Sequence, residues 1–329
     1  MRAFVITGPG RAEVQEVEPP TPREGEVVVE VERAGVCGTD MEFYSGAMTY
    51  LHTGEARYPV RIGHEWAGIV REAGDGVDPA WLGRRVTGDT MLGCGKCARC
   101  GAGRQHLCAD RYEIGIRGGW PGALAERLPV PARALQPLPD AVDPTLGALV
   151  EPGGNALRAV RAADLAPGER LLVIGPGTIG LLAALIAAAQ GVQVHLLGLT
   201  ERSLDFARSL GFTRTWTAPP AEPFDAVLDA SNGPGSPAPG RHVVFIGLSA
   251  DPSPVDTRRL ALKDVTAVGV LSASGGLAGA ADLYASGQVD PRPLVAATVS
   301  LAEAAIVLAG ERRPEWGAAP KIHIDPRLP

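Results

Sequence analysis

"LLVIGPGTIGLLAALIAAA", Leu171 to Ala189, is the stretch whose reading decides the fold. It carries no charge and is long enough to cross a bilayer as one helix. Gly175-Pro176-Gly177 divides it into a short β-type run and a helical run, so strand, turn and helix is the better reading. Gly175, Gly177 and Gly180 then stand in G-x-G-x-x-G spacing between a strand and a helix, the context that gives this otherwise weak motif its meaning. Gly175 permits the tight turn, Gly177 lets backbone approach a pyrophosphate, and Gly180 lets helix and strand pack closely. Thr178 and Ile179 fall at the helix N-terminus, whose free N–H groups and dipole favour an anion. The reading is a dinucleotide site; the plain alternative is a glycine-rich strand–helix turn.

In such a site the next strand ends in Asp or Glu, which holds the ribose hydroxyl. Here "VQVHLLGL" ends at Gly198, with Thr200 and Arg202 close behind. No carboxylate repels a 2′-phosphate there, so NADP is favoured over NAD. Arg202 is equally well explained as a surface residue of the following helix.

Working outward, strand-like "RLLVIG", "VQVHLLGL", "FDAVLDAS", "RHVVFIGL" and "DVTAVGVL" alternate with helical segments over the first part of this region. That order predicts an α/β, doubly wound parallel sheet. "TRTWTAPPAEPFDAV" and "DASNGPGSPAPGRHVV" are too short for the helices expected between their strands. Before residue 148 the pattern is β-rich, with short segments such as "EVVVEVERAGV" and "EWAGIVREAG" between turns. The expected division is 1–148, a β-rich part with a cysteine lobe at about 93–108; 149–270, the cofactor domain; and 271–329, a return to the first part.

At 329 residues the chain is too long for one small core, and a net charge of −6 leaves no basic footprint for nucleic acid or acidic membranes. The N-terminal apolar run is too short for a signal peptide, so the expected location is the cytoplasm. Cytosolic thiols stay reduced, and clustered ones there are more often metal ligands than disulfides. Four of the five cysteines, Cys94, Cys97, Cys100 and Cys108, lie in "GCGKCARCGAGRQHLC". The spacing C-x2-C-x2-C-x7-C fits a closed tetrahedral zinc site, which stabilises a lobe and does no chemistry. Lys96, Arg99 and Arg104 offset part of its negative charge. An iron–sulfur cluster is the rival, but the fourth spacing is wrong for it and no proline follows.

The fifth cysteine is Cys37 in "AGVCGTDMEF"; "IGHEWAG" follows with His64 and Glu65, and "LVEPGG" with Glu151. One thiolate, one imidazole and one carboxylate from distant segments make an open zinc site. Taken singly, each is equally a small buried residue, a core histidine or the end of an element. Together with the cysteine loop and "VIGPGTIG", these motifs, in this order over nearly the whole chain, resemble the zinc-containing medium-chain alcohol and polyol dehydrogenases.

The resemblance implies a GroES-like catalytic domain and a Rossmann cofactor domain. It implies two zinc ions per chain, with Cys37, His64 and Glu151 on the catalytic one and Glu65 as an exchangeable fourth ligand. Thr39 would share the substrate proton, and Asp40 would orient His64. Glu151 points to the polyol, threonine and sugar branch. A relay histidine of many relatives is replaced here by Glu42, with His52 on the next loop as another relay candidate or a plain surface residue. Glu42, Arg57, Glu65, Trp66 and Trp120 would make a polar substrate pocket. A homodimer or homotetramer is implied, with "DVTAVGVL" pairing across a two-fold axis. The function read from this is hydride transfer between a polyol, sugar or secondary alcohol and NAD(P). The alternatives are a zinc-free enone or quinone reductase of the same fold and a non-enzymatic NADPH-sensing protein.

Overall fold

A computed structural model describes residues 1–231, 233, 241–248 and 255–329. The chain forms two compact units. One comprises Met1–Glu151, Ala280–Ala285 and Leu294–Pro329; the other comprises Pro152–Gly279 and Ser286–Pro293.

The first unit is built on a seven-stranded sheet. Its path runs Val295–Val299, Lys321–Ile324, Glu26–Gly35, Glu65–Ala73, Arg85–Gly88 and Leu135–Pro137, with Arg127–Pro131 also paired to Glu26–Gly35. Glu26–Gly35 can serve several partners because it is long. Residues 26–30 pair Arg127–Pro131, while Ala34 and Gly35 pair Ile324 and His323. Its valines at 27, 28, 29 and 31 are fully buried, and Val27, Val29 and Val31 join Phe4, Phe43, Trp66 and Leu128 in one core cluster. The last strand of the sequence thus lies against the third, a pairing no local pattern announces. Two short helices that the β-rich sequence pattern does not reveal, Gly38–Ser45 and Thr49–Thr53, follow the long strand directly.

The second unit is the doubly wound sheet expected from the sequence. All six strands are parallel, in the order Thr215–Trp216, Gln193–Leu197, Arg170–Ile174, Ala226–Asp229, His242–Phe245, Thr266–Gly269. The sheet explains the uncharged stretch that opened the reading. Leu171–Val173 is wholly buried, and Thr178–Ala189 buries Gly180 through Ala184 together with Ile186 and Ala187. Apolar residues on every side of that helix reflect packing in a layered core, as parallel sheets require. Among the described residues no helix is long and apolar enough to cross a membrane.

No helix stands between Thr215–Trp216 and Ala226–Asp229, in keeping with the short segment there. Half of the second short segment, 232 and 234–240, lies outside the described residues. A helix at Thr257–Leu262 was not visible in the apolar pattern; the Asp256 carboxylate accepts from the Arg259 N–H and caps it.

Candidate active site

Cys37 is the N-cap of helix Gly38–Ser45, so its side chain projects from the point where the long strand stops. Asp40, three residues on, is fully buried and fixes this point. One carboxylate oxygen accepts from the Cys37 N–H at 2.9 Å, the other from the Gly63 N–H at 3.1 Å. It clamps the two segments that carry Cys37 and His64. His64 Nδ1 lies 3.7 Å from Asp40 Oδ1, longer than a hydrogen bond, and is buried with no partner of its own. Burial alone would depress the His64 pKa. Asp40, the Cys37 thiol and Glu151 outweigh it and raise it well above the usual histidine value. Burial raises the Asp40 carboxyl against the pull of His64.

Glu65 begins the strand Glu65–Ala73 directly opposite Gly35. A side chain at Gly35 would overlap the Glu65 carboxylate, so only glycine leaves it room. The Cys37 sulfur, a ring nitrogen of His64 and a carboxylate oxygen of Glu65 all lie within 4.8 Å of one another. A sulfur, an imidazole nitrogen and an oxygen so close suit zinc, whose tetrahedral ligand atoms sit roughly 3.3–3.8 Å apart at 2.0–2.3 Å bonds. Glu151 lies outside that group of three. It is buried in the helix Val150–Ala162, with Oε1 3.5 Å from the Thr90 hydroxyl. The same hydroxyl is 3.3 Å from the His64 carbonyl oxygen, so Thr90 bridges the segments of His64 and Glu151. Thr39 is half-buried in the first turn of the Cys37 helix. Glu42 is largely exposed farther along, and the burial it does have raises its carboxyl pKa. His52 is exposed, with Nε2 3.0 Å from the Gly46 carbonyl oxygen.

The sequence reading missed Lys321. Its ammonium is buried and donates to both Glu65 oxygens, at 2.9 and 2.7 Å, and to the Val36 carbonyl at 2.9 Å. Burial opposes the charge, but Glu65 and Cys37 outweigh it and raise the Lys321 pKa. A hint was present: lysine occurs only three times in the chain, and Lys321 opens the strand Lys321–Ile324 directly before Ile322. The grouping of Trp66 with a polar pocket is not what the structure contains. Trp66 is fully buried in the sheet core, Glu65 is held by Lys321, and Arg57 and Trp120 line a different cavity.

The four remaining cysteines converge as their spacing predicts. Cys94 and Cys100 sulfurs are 4.0 Å apart and those of Cys97 and Cys108 3.8 Å, close to the roughly 3.8 Å edge of a zinc–tetrathiolate tetrahedron. The backbone N–H of Cys94 points at the Cys108 sulfur, 3.4 Å away. Backbone N–H groups of Lys96 and Cys97 bring the Cys94 thiol down to about 6, and that of Cys100 lowers Cys97. Burial pushes Cys100 up to about 11. Arg133 ties the loop to the sheet unit through the Gly93 carbonyl at 2.7 Å. Cys100→Ser is expected to remove one zinc per chain and to raise amide exchange across 93–108 more than elsewhere. Metal analysis with hydrogen-exchange mass spectrometry reads both, and unchanged zinc would refute a metal role for this loop.

In the second unit the glycine-rich turn lies at the carboxyl end of Arg170–Ile174, where the sheet order reverses. Gly175 adopts φ +92°, and a side chain at Gly180 would overlap the Gly175 carbonyl. Gly177 caps Thr178–Ala189 and faces open space. Backbone can therefore approach a ligand at the point where dinucleotides bind such sheets. Gly198 is packed against Ser203 and Leu204; Thr200 caps the next helix by accepting from the Ser203 N–H, and Arg202 is exposed.

The match with known proteins follows this geometry. The alcohol dehydrogenase GroES-like domain matches residues 23–140. The L-threonine 3-dehydrogenase of Saccharopolyspora erythraea is 33% identical over 82% of this chain and 83% of its own. The 2-dehydro-3-deoxy-L-galactonate 5-dehydrogenase of Pseudoalteromonas atlantica is 31% identical over 86% of each chain. A zinc-binding dehydrogenase from Sinorhizobium meliloti 1021, solved bound to NADP, superposes with a TM-score of 0.86 over 99% of both chains at 27% identity. The chain belongs to the medium-chain zinc dehydrogenases, a family of oxidoreductases.

Proposed function

We propose that the protein is a zinc-dependent, NAD(P)-linked dehydrogenase of a small hydroxylated molecule: a polyol, a sugar or another secondary alcohol. The convergence of the Cys37, His64 and Glu65 ligand atoms within 4.8 Å carries the reading. In it Cys37, His64 and Glu151 hold the catalytic zinc and Glu65 serves as exchangeable ligand, while Cys94, Cys97, Cys100 and Cys108 hold a structural one. When bound, zinc supplies Lewis acidity toward an alcohol oxygen and the nicotinamide accepts the hydride.

The chain's own groups do the rest. Asp40 fixes the spacing of Cys37 and His64 through two backbone N–H groups. Lys321 neutralises Glu65, so the carboxylate can be buried beside a thiolate. Thr39, two residues after Cys37, receives the substrate proton and hands it toward Glu42 at the surface. Gly175, Gly177, Thr178, Ile179 and Gly180 cradle the pyrophosphate.

The domain reading retained is a catalytic part at 1–148 and 271–329 around a cofactor domain at 149–270. The protein is placed in the cytoplasm as a homodimer or homotetramer. Support for the latter is the exposed edge strand Thr266–Gly269, paired on one side only among the described residues. Metal analysis and a dehydrogenase screen of polyols, sugars and amino alcohols with NAD and NADP in parallel test the function. Two zincs and turnover are expected. One zinc or none would favour the zinc-free reductase, and two zincs without turnover the NADPH-sensing protein.

The NADP preference has its own test. Gly198→Asp combined with Ser203→Gly, which removes the nearest clash and leaves Leu204 to give by a few tenths of an ångström, puts a carboxylate where the ribose phosphate would lie. Like-charge repulsion there is expected to shift the NADP-to-NAD ratio of kcat/KM by at least about tenfold toward NAD. An unchanged ratio would place the phosphate elsewhere.

A further inference from the structure

A cavity of about 1050 Å³ opens in the first unit, and none of Cys37, His64, Glu65 and Glu151 lines it. Its walls include Arg57, Arg61, Tyr112, Ile116, Arg117 and Trp120. The arginines there are not equivalent. Arg117 is paired with Glu55 at 3.1 Å, and Arg111, also on the wall, with Glu113 at 2.8 Å. Arg61 is half-buried, and its guanidinium has no hydrogen bond or ion pair among the described residues. Burial alone shifts its pKa, downward, so no carboxylate compensates it. The other acids on the wall, Glu18 and Asp110, are exposed to solvent.

A half-buried cation without a counter-charge beside a large cavity is placed to take an anion from solvent. The guanidinium fork matches phosphate geometry with two parallel hydrogen bonds. The cavity far exceeds a free ion, and Trp120, Tyr112 and Ile116 offer apolar surface to an organic remainder.

We propose that this cavity binds the phosphate group of a small organic phosphate on Arg61, with the exposed Arg57 as second cation. The phosphate has two possible sources. It belongs either to an effector that is not turned over or to the far end of the substrate itself. The second is compatible in length, because three residues from Arg61 to His64 span at most about 11 Å.

The test titrates glucose 6-phosphate into the zinc-loaded protein by calorimetry, with NADP present to occupy the anion site of the glycine-rich loop. The parent is expected to saturate. Arg61→Met is expected to bind at least about tenfold more weakly, the loss of charged hydrogen bonds. Without ligand, Arg61→Met should melt no lower than the parent, since it removes an uncompensated charge. Arg61→Lys keeps the charge without the fork; it should bind severalfold more weakly and carries the test should Arg61→Met fail to fold. Equal affinity in parent and variants, or no saturation in the parent by about 10 mM, overturns the proposal. Where binding holds, kinetics separates the sources. A KM for an unphosphorylated alcohol that rises linearly with glucose 6-phosphate at constant kcat, in the parent alone, marks a substrate subsite, and a change in KM or kcat that levels off marks an effector site.

Discussion

Replacing Cys37 by serine is expected to lower kcat/KM by at least about a thousandfold and to take zinc from two ions per chain to one. The fold should survive. Cys37 occupies a helix N-cap, where serine is among the preferred residues. The Asp40 clamp also persists, because it reaches the backbone N–H of residue 37 rather than the sulfur. What disappears is the thiolate, and a neutral hydroxyl is a poor substitute as a zinc ligand. A Lewis acid supplies several kcal/mol to stabilising a developing alkoxide, and each 1.36 kcal/mol is tenfold in rate, which sets the thousandfold floor. Zinc analysis, steady-state kinetics and a melting curve belong together here. Two retained zincs, or activity within tenfold of the parent with a normal melt, would remove Cys37 from the site.

The second large effect is structural. Lys321→Met keeps an unbranched side chain one atom shorter but leaves the Glu65 carboxylate buried without its cation. Removing one partner of a buried pair costs about 3–5 kcal/mol, because the other charge stays desolvated. For a domain of this size that is a fall in melting temperature of roughly 6–20 °C. Adding Glu65→Gln should recover most of it, since no net charge is then buried. That recovery separates loss of charge balance from loss of packing. A single variant melting within about 2 °C of the parent would show that Glu65 finds another neutralising partner.

Legibility in the sequence followed the separation of the interacting residues. The four clustered cysteines fall within one short loop, so bringing them together costs little loop-closure entropy. The glycine-rich turn is read as surely, since its strand, turn and helix are consecutive. Cys37 and His64 were identified by motif, yet their spacing depends on Asp40 reaching Gly63, which the motif did not disclose. Thr90 between His64 and Glu151, and Lys321 beneath Glu65, left only a faint trace or none.

The sequence by itself determined the class of the two units, the parallel order of alternating strands and helices, the glycine-rich turn and the cysteine cluster. Each follows from hydrophobic periodicity or from spacings of a few residues, where chain connectivity limits the outcome. Tertiary structure alone decided that Lys321–Ile324 lies against Glu26–Gly35, that Lys321 therefore neutralises Glu65, and that Arg61 faces a cavity uncompensated. Those outcomes depend on pairings between distant segments, and on the solvation of charges those pairings bury, which no local pattern encodes.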